Sequence, residues 1–302
     1  MAHFATDEAA RTYLEGVRWP AGPVCPHCGN ADRAAIYDIA ENAETKVRAG
    51  LRECKACGEQ FTVTVGTIFE SSHIPLRKWL VAWYMLCASK KGISAHQMQR
   101  VLGIGSYRTA WSMMHRIRYA LREPVFADTL GAGGGTVEAD ETYVGGKVRG
   151  MARAYKGNKT PVVALVERGG RLRSRTVRKV TGETLTKVLT DRVDPSAHFM
   201  TVELPAYRKP GKHFASHHSV NHSAGEYARG DAHTNTVEGY FSLLKRGVIG
   251  TFHHVSEQHL DIYLSEFDSR YTHRDDTDGA RTVAGLKKVE GKRLMLRRPK
   301  GH

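Results

Sequence analysis

The sequence predicts an α/β protein: a mixed sheet flanked by helices, preceded by a small cysteine-rich ribbon and a helical region. Three observations predict it. Two CxxC knuckles stand early in the chain, a helix, glycine turn, helix outline follows, and alternating strand runs then lead to an amphipathic helix at 233–250. The 302 residues suffice for a full core and one or two further small domains. A formal charge of +14 favours a polyanionic partner, with nucleic acid ahead of a membrane surface. No charged-then-apolar leader opens the chain, and the longest apolar run, 79–88, is about half a membrane span, so a cytoplasmic protein with no membrane partner is expected.

Residues 1–70 hold the ribbon. Cys25 and Cys28 form one knuckle, Cys54 and Cys57 the other, with 25 residues between them. Gly29 and Gly58 follow directly, where a tight turn brings backbone amides round the thiolates. Four thiolates so spaced suit a structural, tetrahedral Zn2+, and a ribbon this small lacks a core able to fold it without the metal. His27 is the rival ligand nearby. A redox role needs one knuckle beside a βαβ unit, not two between short β-like runs. The run 61–65 alternates as another ribbon strand does, and Cys87, in an apolar run, reads as a small buried hydrophobe.

Residues 71–128 read as helical. The run 76–91 is apolar nearly all round, as a buried helix is. Ser94 can cap a second helix running to Leu102, the turn at 103–105 breaks it, and Ser106 can cap a third running to about Glu123. This is a helix-turn-helix-like outline, and Arg108, His115, Arg116, Arg118 and Arg122 make its last helix cationic, with the four arginines as DNA-binding candidates. A plain three-helix bundle with a solvated basic face is the alternative. Residues 129–135, with GAGGG at their end, read as a flexible linker and domain boundary.

Beyond it, 136–275 read as one domain. The run 136–144 alternates, with Glu138 and Asp140 on one face and Val137, Ala139 and Glu141 on the other. The runs 161–166 and 172–180 give the next two strands, 181–193 a helix and 198–203 a fourth strand. From Lys147 to Lys179 there are eleven Lys or Arg against the single acid Glu167, which suggests a surface tracking a phosphate backbone. In 233–250, Val237, Tyr240, Phe241 and Leu244 form the buried stripe of a helix that Thr234, Asn235 or Thr236 can cap and Gly247 can end. Glu238 and Lys245 lie two turns apart on its other side. Three strands, a helix, a strand and this helix make the order of a ribonuclease H-like domain, in which acids from the first strand, the fourth strand and a later helix converge. His213, His217, His218, His222 and His233 have spacings that match no common metal site and read as DNA contacts or surface polarity. The run 256–274 reads as a packing helix, and 276–302 as a mobile basic tail gripping phosphate.

The runs VEADETYVGGK at 137–147 and NHSAGEYARGDAHTNTVEGYFSLLKRGVIGTFHHVSEQHL at 221–260, with the zinc ribbon ahead of them, resemble insertion-sequence transposases of the DDE type, the ISXO-like group. The resemblance implies two Asp and one Glu holding two divalent ions, Mg2+ or Mn2+, as DNA is cut and joined. Several carboxylates are needed because two dications about 3.5–4 Å apart must be gripped together. Asp140 matches the first acid, Glu238 the last, and Lys245 the basic residue beyond it that holds a DNA phosphate. Arg246 and Lys147 join the implied DNA contacts. The second acid should stand on the fourth strand about 35 residues before the Glu, and Val202, with 35 residues between, occupies that position. Glu203 is the substitute acid, but one step along a strand turns a side chain to the opposite face, so a bulge is required. Asp191 and Asp194 precede the strand and fit less well. The partners implied are double-stranded DNA, as terminal inverted repeats and as target, and a second copy of the chain in the synapse, with a nucleoid-associated location in a prokaryote. Two rivals stay open: a DNA-binding remnant or repressor that no longer cuts, and another ribonuclease H-like nuclease.

Overall fold

A computed structural model describes residues 4–124, 128–146 and 159–294. The described residues fall into two compact units, one formed by 4–89, 93–121 and 276–294 and the other by 90–92 and 122–275.

In the first unit, α1 (Asp7–Arg18) starts at Thr6, whose hydroxyl accepts from the Ala9 amide. A three-stranded antiparallel ribbon follows: β1 (Ile36–Asp38), β2 (Arg52–Cys54) and β3 (Gln60–Phe61). Then come α2 (Leu76–Ala88), α3 (Ala95–Leu102) and α4 (Tyr107–Leu121). Ser94 caps α3 as its position predicts, Gly103 ends it in the left-handed conformation at φ 57°, and Ser106 accepts from the Thr109 amide at the start of α4. The expected division at residue 70 does not hold. Strands of three, three and two residues have too little apolar surface for a core of their own, so Ile36, Phe61 and Val63 share one core with Leu14, Trp79, Trp83, Met98 and Ile117.

The expected mobile tail also differs. Residues 278–286 form a helix capped by Thr277, whose Leu286, with Val289 just beyond, is fully buried in this same core. At Gly285 the backbone comes so near Trp83 that a Cβ would stand 2.8 Å from its Nε1. Lys292 donates to the carbonyl of Ala120. The basic residues hid an apolar stripe at Val283, Leu286 and Val289, and residues 295–302 lie outside the described chain.

The second unit is built on a mixed five-stranded sheet. Its strands are β4 (Thr136–Val144), β5 (Thr160–Glu167), β6 (Leu172–Thr176), β7 (His198–Val202) and β8 (Ser216–Val220), in the order β6-β5-β4-β7-β8. The first three pair antiparallel, whereas β7 and β8 continue parallel to β4. Helices cover both faces. Against Val137, Ala139, Leu165 and Phe199 lie α5 (Gly182–Thr190) and the short turn of helix α6 (Arg208–Gly211) with buried Tyr207. Against Val144, Val162, Ala164 and Val166 lie α7 (Asn235–Gly247) and α8 (Glu257–Thr272), with the small hairpin of β9 (Ala228–Arg229) and β10 (Ala232–His233) leading into α7. The last helix of the chain, the core helix already described, is α9 (Asp278–Leu286).

The edge strand β6 keeps its outward amides satisfied by side chains of α8. Thr272 accepts from Leu172 N, Asp268 from Ser174 N and Asp261 from Thr176 N, so donors at a period of two meet acceptors along one helix face. The glycine run expected as a flexible linker is a packed turn instead. A Cβ on Gly131 would stand 2.7 Å from both Ala197 and Val137, and its carbonyl accepts from Gly135 N, which delivers the chain into β4.

Candidate functional site

The four cysteines of the ribbon converge. Gly29 and Gly58 sit at positive φ and close each knuckle by donating to the carbonyls of Cys25 and Cys54. All four Sγ atoms lie within 4.8 Å of one another, with Cys25 to Cys57 at 3.8 Å and Cys28 to Cys54 at 3.7 Å. A tetrahedron with Zn–S bonds of about 2.3 Å has edges of about 3.8 Å, so the set fits a structural Zn2+. Burial penalises a thiolate at Cys54, but donors from Asn30, Cys57 and Ala56 outweigh it and bring the group down to about 6. His27 is exposed and stands outside the set.

In the second unit, β4 carries Asp140 on the face that meets α7, as the alternation predicts. Asp140 is pushed up to about 7, chiefly by burial, then by the charge of Glu141; Glu238 adds to the rise, while the Glu141 amide and Lys245 oppose it. Asp140, Glu238 and Lys245 are therefore electrostatic neighbours: the second carboxylate disfavours ionisation of the first and the ammonium favours it. Glu238 accepts from the Thr234 hydroxyl at 3.0 Å, and the Nε2 of His222 stands 3.4 Å away. Lys245 and Arg246 are exposed in the last turn of α7.

Val202 ends β7. The parallel ladder pairs Ala139 with Thr201, so Val202 stands one step on, in the register of Asp140, while its side chain packs with Leu204 and Ala206 against the core that α5 covers. Glu203 lies past the end of the strand. Its carboxylate accepts from the amides of His222 and Ser223 and from the Ser223 hydroxyl, donors that hold it down at about 2. It clamps the loop that presents His222. Asp191 ends α5, and Asp194 accepts from Ser196 and Thr129. Among the described residues, the four cysteines are the only group of three or more His, Cys, Asp or Glu gathered as a metal site. Asp140 and Glu238 suit a hard dication, but no third carboxylate joins them.

Two residues that the sequence had marked only in passing complete the site. Glu138, two positions before Asp140 and completely buried, accepts from Thr236 N at 2.9 Å and Val237 N at 3.1 Å. It therefore caps α7 in place of Thr234, Asn235 or Thr236, none of whose side chains does so. Arg168 pairs with it at 2.7 Å. Same-face alternation with Asp140 was the visible signal for Glu138; the partners, about a hundred residues away, had none.

Of the arginines expected to face DNA, Arg108 and Arg122 are exposed. Arg118 is buried at 1% exposure, together with His115. Arg116 lies 5.0 Å over the ring of Trp79 and donates to the carbonyl of Glu70, and burial pushes its guanidinium down. The helix packs on a wider face than its apolar residues alone announce, and these two arginines fall within it. Lys147 lies outside the described residues, as do Arg149, Arg153 and Lys156, whereas the basic residues of the run from Lys159 to Lys179 are described. Among the described residues, no helix is long and apolar enough to cross a membrane.

Comparison with known proteins places both units in one context. Residues 5–60 match the transposase zinc-ribbon domain and residues 133–272 the ISXO2-like transposase domain. A protein of transposable element ISH50 from Halobacterium salinarum is 29% identical over 290 residues, covering 88% of this chain and 91% of that protein. The chain thus belongs to the DDE-type insertion-sequence transposases that carry a zinc ribbon ahead of an ISXO2-like transposase domain.

Proposed function

We propose that the chain acts on double-stranded DNA as the transposase of an insertion sequence. The zinc-ribbon unit binds the terminal inverted repeats, and the second unit, a ribonuclease H-like domain, is built to cut those ends and join them to target DNA. Asp140 and Glu238 would hold Mg2+ or Mn2+, which when bound supplies charge stabilisation to phosphoryl transfer. Lys245 holds a phosphate beside the pair, and Arg246, Arg108 and Arg122 contact the backbone. Synapsis of two ends calls for more than one copy of the chain. The observation that carries this reading is the match of residues 5–60 and 133–272 to a transposase zinc ribbon and an ISXO2-like transposase domain, with Asp140 on β4 and Glu238 and Lys245 on the α7 that packs against it.

In this copy Val202 stands where the second acid belongs, and the copy is impaired in cleavage. That favours end binding without efficient cutting, as a remnant or repressor would do. Competition between an element end and random duplex, at physiological salt with the zinc-loaded protein, tests the transposase reading. A clear preference for the end is the expected result; a preference for a four-way junction or an RNA–DNA hybrid would point to a different nuclease.

A further inference from the structure

Glu138 is the one carboxylate of β4 that is completely buried, and its contacts reach the segment that carries Glu238 directly or through Arg168. Its Oε2 accepts from the amides of Thr236 and Val237, and its Oε1 from the Thr236 hydroxyl at 2.8 Å and from Arg168 Nε. The Arg168 Nη2 donates onward to the carbonyl of His233, and His233 Nδ1 lies 3.2 Å from Glu138. A buried charge is tolerated only when paired and hydrogen-bonded, and this one meets that condition entirely through the start of α7 and its guanidinium. The negative charge also faces the positive end of the helix dipole. Asp140 is two residues along the same strand face, and Glu238 is the residue next to Val237. One carboxylate therefore ties the two acids of the site together.

We propose that Glu138 is a positioning residue that fixes the first turn of α7 to β4 and so sets the spacing of Asp140 and Glu238 for a divalent ion. The proposal rests on the metal-site reading above. Replacing Glu138 by Gln keeps the volume but sets an amide NH2 against the donors of Thr236 or Arg168, so the full set of bonds cannot form.

The test is a titration of zinc-loaded full-length protein with Mn2+, free ion being followed by electron paramagnetic resonance, in the Val202→Asp background where three acids are present. Glu138→Gln should weaken Mn2+ binding about 10- to 100-fold, the usual loss when an outer partner of a ligand is removed. Thr236→Val, which removes only one hydroxyl donor and leaves the fold intact, should weaken it about fivefold. Leu165→Ala, which opens a cavity on the opposite face of the sheet, should lower the melting temperature and leave Mn2+ affinity unchanged. The proposal is overturned if Thr236→Val and any folded Glu138→Gln protein bind Mn2+ like the parent, or if Leu165→Ala weakens binding as much as they do. If Glu238→Gln leaves Mn2+ binding unchanged, the metal-site reading falls and takes this proposal with it.

Discussion

Val202 and Glu203 separate what a strand requires from what a metal requires. A β-branched side chain at the end of β7 serves the sheet at least as well as Asp does, so the fold accepts Val202 whatever a metal would require there. The family resemblance, which sets the second acid about 35 residues before Glu238 on the fourth strand, made this position legible in the sequence. It could not show that the neighbouring Glu203 is already occupied, because its partners sit on a loop about twenty residues on. The arginines of α4 teach a related lesson: charge marks a surface only where packing leaves it outside. Arg118→Ala should lower the stability of the first unit by roughly 2 kcal/mol or more, as loss of a buried, engaged group does. Arg108→Ala should leave the melting temperature unchanged and reduce the salt dependence of DNA binding by about one ion. Melting curves and salt titrations of the two variants check both expectations, and a reversed pattern would place Arg118 at the DNA.

Among the elements, β4 to β7 and α7 were legible because alternation and the helical stripe are local signals. The capping residues Ser94 and Ser106 were equally plain. Two helices were not. The helix α1 puts Ala10, Tyr13, Leu14 and Val17 against the first unit's core, and α9 lies in a basic stretch whose apolar residues fit that core only once it exists. The pairing of α8 with β6 is also long-range, and it carries a pH dependence. Burial pushes Asp268 up to about 7 despite donors from Ser174 and Tyr240. A carboxyl raised in the folded state contributes stability that is fully present below its unfolded value near 4 and is lost as pH rises through about 7. The second unit should therefore lose stability between pH 4 and 7 through this group, and Asp268→Asn should flatten that slope. Chemical denaturation at several pH values, followed by far-ultraviolet circular dichroism, measures it; an unchanged slope in the variant would locate the dependence elsewhere.

For the whole molecule, the borders of the compact units differ from those read from the sequence. Ribbon and helices share one core, so the zinc site belongs to a unit larger than residues 1–70. All four tryptophans, Trp19, Trp79, Trp83 and Trp111, lie in that unit, so their fluorescence reports it selectively. A structural Zn2+ is worth about 10 kcal/mol or more to its fold, as much as the whole stability of a typical domain. Removing it with a chelator should expose the tryptophans of α2 as well as Trp19 in one transition. A change confined to Trp19 would restore an independent ribbon. In the other unit, the chemistry proposed is metal-dependent cleavage by Asp140 and Glu238, held back by Val202 at the position of the second acid. The most direct measurement is Mg2+-dependent cleavage of an element end by the native chain, by Val202→Asp, and by Val202→Asp with Glu238→Gln. Weak cleavage, a gain of several orders of magnitude with little change in DNA affinity, and loss of that gain are the expected results in turn. Native cleavage as fast as that of the Val202→Asp protein, abolished by Glu203→Gln, would contradict this reading and make Glu203 the missing ligand.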